Sequence, residues 1–117
     1  MPDAWYRERY RVPPEVSAYL RPLSSPEVLG ILHYNLGNAF RLARRLDEAL
    51  AHYARAGVLF PDYPEAHASR GLALQLLGDL DGAWRAYARA RALHPRLAGL
   101  DDNLTALERE EKERRGR

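Results

Sequence analysis

The chain has 117 residues, which is enough for one domain with a buried core and too few for two ordinary ones. Apolar residues make up 46% and charged residues 29%, which is a globular rather than a disordered composition, and a net charge of +2 is too small to imply a nucleic-acid partner. The sequence contains no cysteine, which excludes disulfides, thiolate metal sites and cysteine catalysis.

Membrane and secretory signals are absent from the sequence. The first residues contain no apolar run like the core of a signal peptide, and no stretch approaches the roughly 18 consecutive apolar residues that span a bilayer. We therefore expect a cytoplasmic protein.

The first 25 residues are expected to form an N-terminal extension or cap with one short helix over 14–21, which ends before a proline. Aromatic residues are frequent in this segment: Trp5, Tyr6, Tyr10 and Tyr19. Three roles fit these rings: packing on the exposed side of the following helices, occupying the groove of the same or a neighbouring molecule, or stacking on nucleic acid beside nearby arginines. Acidic residues interleave with those arginines, which argues against nucleic acid.

Residues 30–61 recur as residues 64–95 without a gap, and thirteen of the 32 pairs are identical. In both halves of each copy, apolar or small residues return every three or four positions. This spacing predicts two amphipathic helices per copy. We predict two helix–turn–helix units, at residues 26–63 and 64–97.

Capping signals divide these helices. The predicted N-caps are Ser25, Asp47 and Asp81. Gly78 suits the left-handed residue that follows a helix. Each unit ends at Pro61 or Pro95, because proline cannot continue a helix.

Gly37 and Gly71 fall inside predicted helices, where glycine costs about 1 kcal/mol relative to alanine. A helix retains such a residue where a neighbouring element must approach closely. Small and aromatic residues pair four positions apart in both second helices, as Ala49 with Tyr53 and Ala83 with Tyr87. This spacing predicts aromatic side chains that fill holes left by small residues.

A last helix is predicted over roughly 97–114, and the closing region of the chain, which caps the array, is set at 98–117. Its apolar stripe consists of Leu97, Leu100, Leu104 and Leu107, which recur at spacings of three and four. The charged run over 108–117 interleaves acids with bases, which is typical of a solvated helix face rather than of a nucleic-acid or membrane contact.

These features resemble the tetratricopeptide repeat (TPR) family, whose 34-residue unit has the pattern W-x2-L-G-x2-Y, then A-x3-F, A and P. The first copy has His33, Leu36, Gly37, Phe40, Ala49, Tyr53, Ala56 and Pro61; the second has His67, Arg70, Gly71, Leu74, Ala83, Tyr87, Ala90 and Pro95. The departures are histidine in place of the first aromatic residue in both copies, and Arg70 where leucine is usual. The resemblance covers residues 30–95 and implies an all-α fold, an α-α superhelix of about five to six helices that winds as a right-handed solenoid. It also implies that the last helix shields the array from water.

The resemblance further implies that the first helices of successive repeats line a concave groove for a protein or peptide partner. We expect His33, Leu36, Gly37 and Phe40 to face neighbouring helices, which leaves the opposite face open. The candidate groove residues are then Tyr34, Asn35, Asn38, Arg41, Ser69, Leu72, Gln75, Asp102, Asn103 and Arg109. Amides and arginine can hydrogen-bond the backbone or carboxylate of an extended peptide. The alternative is that these residues only form solvated helix faces.

Some members of this family clamp the C-terminal carboxylate of chaperones with lysine, asparagine and arginine side chains. Only Asn38 matches that clamp, because Tyr34, Ser69, Gly99 and Asn103 occupy the other positions. We therefore predict no clamp for chaperone tails.

The sequence has no glycine-rich phosphate loop, no nucleophile elbow and no metalloprotease motif. His33 and His67 lie one repeat apart, too far to ligate one metal ion, so we expect both to pack structurally. We predict no catalytic residues, no metal and no cofactor. The expected function is a non-enzymatic scaffold for a protein or peptide; the alternatives are self-association through repeat ends or caps, and an accessory nucleic-acid module.

Overall fold

The computed structural model describes residues 22–116 and folds them into five α-helices without a β-strand. The helices are α1 (Ser25–Leu42), α2 (Leu46–Leu59), α3 (Pro64–Leu77), α4 (Leu80–Leu93) and α5 (Leu100–Arg115). Helices α1 and α2 pack as one pair and α3 and α4 as a second, with α2 against α3 and α4 against α5. The predicted all-α array of stacked helix pairs, consistent with an α-α superhelix, is confirmed. The prediction for the aromatic N-terminal segment lies outside the described residues.

The first helix begins one residue earlier than predicted, because its N-cap is Ser24 rather than Ser25. The Ser24 hydroxyl accepts a hydrogen bond from the backbone N–H of Glu27, and the Glu27 carboxylate accepts one from the backbone N–H of Ser24, each at 3.2 Å. This reciprocal pair satisfies two backbone donors that the helix cannot satisfy itself.

The caps of the second helices were also predicted two residues too late. Asp79, not Asp81, caps α4, and its carboxylate accepts from the backbone N–H of Gly82 at 2.9 Å. The corresponding N-cap of α2 is Arg45, which makes no side-chain capping bond, so Asp47 lies in the first turn of the helix instead. An acidic side chain there still interacts favourably with the positive end of the helix dipole.

The turns within the two pairs share one backbone conformation. Gly78 adopts the predicted left-handed conformation with φ of 91°, and Arg44, one repeat earlier, adopts it with φ of 64°. Glycine takes this conformation without steric cost, whereas an L side chain does not. Gly78 is therefore better suited to the turn of the second pair than Arg44 is to the turn of the first.

The glycines inside the first helices lie directly under tyrosine rings of the second helices, which confirms the close approach predicted from sequence. A Cβ atom at Gly37 would lie 2.6 Å from the ring of Tyr53, and one at Gly71 would lie 2.7 Å from the ring of Tyr87. Both tyrosines are fully buried, as are Ala49 and the other small residues predicted to be structural: Ala56, Ala83 and Ala90.

The closing helix seals the second repeat. Leu100 and Leu107 of α5 are buried in the same cluster as Leu74 and Tyr87, and the indole N–H of Trp84 donates to the carboxylate of Glu111 at 3.0 Å. The helix begins at Leu100 rather than near 97, since Leu97 lies in the preceding turn, although that residue also packs against the cluster.

The outer face of α1 is apolar and exposed. Val28, Leu29, Leu32 and Leu36 are between 45% and 52% exposed. The expectation that Leu36 packs against a neighbouring helix is therefore wrong for the described residues. The physical reason is that within residues 22–116 no helix precedes α1, so this face has no earlier helix to pack on; the equivalent of Leu36 in the second repeat, Arg70, is exposed as well.

Candidate functional site

A small pocket of about 140 Å³ opens where the inner faces of α1, α3 and α5 meet. Four predicted groove residues line it: Tyr34 from α1, Ser69 and Leu72 from α3, and Asn103 from α5. The remaining lining residues are Glu65, Ala68, Leu97 and Ala98. The repeat register thus brings side chains from three helices to one place.

Asn38 and Arg41 lie on the same helix as Tyr34 but hold the buried tyrosine of their own repeat. The Tyr53 hydroxyl donates to Asn38 Oδ1 at 2.5 Å and accepts from Arg41 Nε at 3.2 Å. Burial raises the pKa of Tyr53, while the hydrogen bond and charge of Arg41, and the hydroxyl of Ser69, act in the opposite direction. The hydroxyl therefore stays protonated and remains a donor at neutral pH.

The second repeat contains the equivalent contact between a buried tyrosine and a polar side chain of its first helix. The Tyr87 hydroxyl donates to Gln75 Oε1 at 2.9 Å, and Gln75, one repeat after Arg41, is buried. Burial raises the pKa of Tyr87 to about 12, with a further rise from the nearby Glu110 carboxylate. The predicted groove residues Asn38, Arg41 and Gln75 thus orient buried tyrosines.

The other candidate residues lie away from the pocket. Asn35, Asp102 and Arg109 are exposed and do not line it. A second, wider depression of about 340 Å³ lies beside the pocket residue Leu72. Its other lining residues are Arg41, Leu42, Arg44 and Leu76.

An aromatic rim that sequence reasoning missed adjoins the pocket. The Tyr34 ring meets Tyr63 edge to face with centroids 5.3 Å apart, and Tyr63 stacks on Phe60 at 5.1 Å. Burial raises the pKa of Tyr63, as do, more weakly, the carboxylate of Glu65 and the nearby Tyr34. The sequence did contain a signal for this rim. Tyr63 and the pocket residue Leu97 lie one repeat apart and so occupy equivalent positions, which suggests that both border the same surface.

Two of the histidines form a pair that sequence reasoning also missed. Nδ1 of His33 on α1 lies 3.0 Å from Nδ1 of His52 on α2, so one ring donates its N–H and the other accepts. Phe40 stacks on His52 with centroids 5.2 Å apart. His67 instead holds the turn between the pairs through a 2.8 Å hydrogen bond from its Nε2 to the carbonyl oxygen of Pro61. Both family-pattern histidines therefore make structural contacts.

Two properties of the described residues, 22–116, bear on other kinds of site. No group of three or more histidine, aspartate or glutamate side chains among them is placed to hold a metal ion. None of their helices has the length and apolarity needed to cross a bilayer.

Comparison with known proteins finds a matching family model and a relative in the mouse. A family model described as TPR repeat matches residues 37–78, from the middle of α1 to the turn after α3. Protein O-mannosyl-transferase TMTC1 of Mus musculus is 33% identical over 98 residues, which cover 84% of this chain and 10% of the mouse protein. The chain thus spans about a tenth of the length of that relative.

Proposed function

We propose that this chain, a tetratricopeptide repeat protein, is a non-catalytic scaffold that binds an extended segment of another protein across α1, α3 and α5. One observation carries the proposal: two polar groups of the pocket are available. Within residues 22–116 the Tyr34 hydroxyl and the side-chain amide of Asn103 make no hydrogen bond to another residue, whereas Asn38, Arg41 and Gln75 are engaged by buried tyrosines.

The chemistry of the surface supports an extended peptide. The pocket combines an amide and two hydroxyls with apolar walls from Ala68, Leu72 and Leu97. An amide both donates and accepts hydrogen bonds, so it matches a peptide backbone, while the walls accommodate a side chain. A segment that crosses from Tyr34 to Asn103 would contact all three inner helices.

The test begins with a phage-displayed library of random 12-residue peptides selected on the full chain. Selected peptides are then measured by fluorescence polarisation against wild type, Tyr34→Ala and Asn103→Ala. We expect each substitution to weaken binding about tenfold, or about 1.4 kcal/mol, because a central contact residue is lost. Asn35→Ala is the matched control, since this exposed amide lies on α1 outside the pocket.

Equal affinities for wild type, Tyr34→Ala and Asn103→Ala would place the site elsewhere and refute the proposal. Replacing Asn38 or Arg41 is a poorer test, because loss of either disturbs the buried Tyr53 hydroxyl. Light scattering over a range of concentrations shows whether the chain self-associates, which remains the alternative. The cytoplasmic location and the unit boundaries at 26–63 and 64–97 stay predictions.

A further inference from the structure

The size of the groove pocket limits what can enter it. Sites for small-molecule ligands usually enclose roughly 300–1,000 Å³. The pocket has about 140 Å³, which suits one side chain of a bound peptide rather than a free metabolite. Its selectivity therefore concerns a single residue of the partner.

The pocket carries negative charge and no positive charge. Glu65, in the first turn of α3, is the charged residue of the lining, and none of the eight lining residues is basic. Among residues 22–116, no ion pair or hydrogen bond occupies its side chain. The carboxylate also raises the pKa of Tyr63, which packs on Tyr34, and so its field reaches the aromatic rim of the pocket.

The other walls suit a long side chain with a polar end. Ala68, Leu72 and Leu97 offer apolar surface, and the Tyr34 ring can contact either methylenes or a cation. The hydroxyl of Ser69 and the amide oxygen of Asn103 are hydrogen-bond acceptors in the same lining. The pocket therefore combines apolar walls with two neutral hydrogen-bond acceptors and one carboxylate. This combination is complementary to a basic side chain, which has an apolar stem and a cationic end.

We propose that this pocket takes a lysine or arginine side chain of the bound segment, with its methylenes on the apolar wall and its cationic end at Glu65. The inference rests on the proposed function, since the side chain must arrive on a peptide lying in the groove. It adds a specificity: partners carry a basic residue at one fixed position of the bound segment.

The experiment uses the same 12-residue library and the full chain. Peptides selected on wild type are expected to share arginine or lysine at one position, and replacing that residue with norleucine should weaken binding about tenfold. Glu65→Gln should weaken the basic peptide similarly and leave the norleucine peptide unchanged, because the cation and the carboxylate then act as a pair. Glu65→Lys should favour peptides with glutamate at that position. Asp62→Asn, in the exposed turn before α3, is the matched control and should change neither affinity.

The outcomes separate this inference from the proposed function. If selected peptides depend on Tyr34 and Asn103 but share no basic residue, the groove binds peptides and the basic pocket is wrong. The same follows if Glu65→Gln changes affinity no more than Asp62→Asn does. If no peptide is selected, or binding ignores Tyr34 and Asn103, the proposed function fails as well. Circular dichroism of each variant confirms that the helices are retained.

Discussion

Both repeats contain the same close contact, in which a glycine on the first helix is covered by a tyrosine of the second helix. Gly71 allows the Tyr87 ring to pack closely against α3, and the Tyr87 hydroxyl then reaches Gln75 on that same helix. The ring fills space that a β-carbon would occupy, and the hydrogen bond fixes the ring at its far end. The cost of glycine within a helix is thus offset by the burial of a whole aromatic side chain.

Substituting this glycine should reverse the usual effect of a glycine-to-alanine change. We expect Gly71→Ala to lower the free energy of unfolding by about 1–2 kcal/mol, because the new Cβ overlaps a ring that cannot move without losing its hydrogen bond. Urea denaturation measures the change, provided that the free energy of unfolding depends on urea concentration with the same slope in both proteins.

Gly57→Ala is the matched control on α2. A Cβ there would lie 3.7 Å from His67, an ordinary contact, so alanine should stabilise the helix by about 0.5–1 kcal/mol. If both variants gained stability equally, the close approach of Tyr87 would not be a constraint on the sequence.

At the scale of helices, His33 and His52 join α1 to α2 through a hydrogen bond that requires at least one neutral ring. Burial lowers the pKa of His33 below its usual 6.5, and the charges of His52 and Arg55 lower it further. Protonation therefore favours the unfolded chain. The contribution of the pair is complete above pH of about 6.5 and is lost as the pH falls through the lowered pKa.

We accordingly expect the melting temperature of the wild type to fall between pH 7.5 and pH 5.5, and His33→Asn to fall less steeply. Thermal denaturation followed by circular dichroism at several pH values measures both slopes. His94→Gln, at an exposed position after α4, should retain the steep wild-type slope. Parallel curves for wild type and His33→Asn would show that the pair makes no pH-dependent contribution.

The helices themselves were predictable from sequence, but some of their contacts were not. Three- and four-residue spacing identifies the face of a helix that is buried, so Gly37, Gly71 and the buried alanines could be assigned. It does not say how far a side chain on the next helix reaches around the edge of that face. Asn38 and Gln75 were therefore assigned to the groove, although the hydroxyls of Tyr53 and Tyr87 reach them.

The candidate site was predictable to the same extent. The helical phase of Tyr34, Ser69 and Asn103 predicted one shared surface for them, and all three line the pocket. Glu65 and Tyr63 lie at or just before the start of α3, where the chain is leaving a turn. Helical phase is not defined at Tyr63, before the helix begins, and the acidic Glu65 was explained by its place in the first turn of α3. Both residues are recognised at the pocket only when the turn is placed against α1.

For the whole molecule, the two ends of the array are unlike. Helix α4 buries six residues, from Leu80 to Ala90, and α5 covers its outer side, whereas α1 buries only Gly30 and Gly37 within the described chain. In a repeat array, stability is the sum of each unit and its contacts with neighbours. Among the four helices of the two repeats, α1 buries the fewest residues, so opening of the repeats should begin at α1 and proceed toward α4.

Hydrogen exchange followed by mass spectrometry tests this gradient, because amides in locally opening segments exchange at lower free energies than those in the core. We expect the amides of α1 to exchange at least tenfold faster than those of α4, with α2 and α3 between them. The exposed side chain of Leu32 supplies the reason, since its counterpart on α3, Ala66, is buried. Protection of α1 equal to that of α4 would contradict a stability graded along the array. It would mean that the apolar face of α1 is covered in solution, by residues outside 22–116 or by a second molecule, and light scattering of the same sample would distinguish these two coverings.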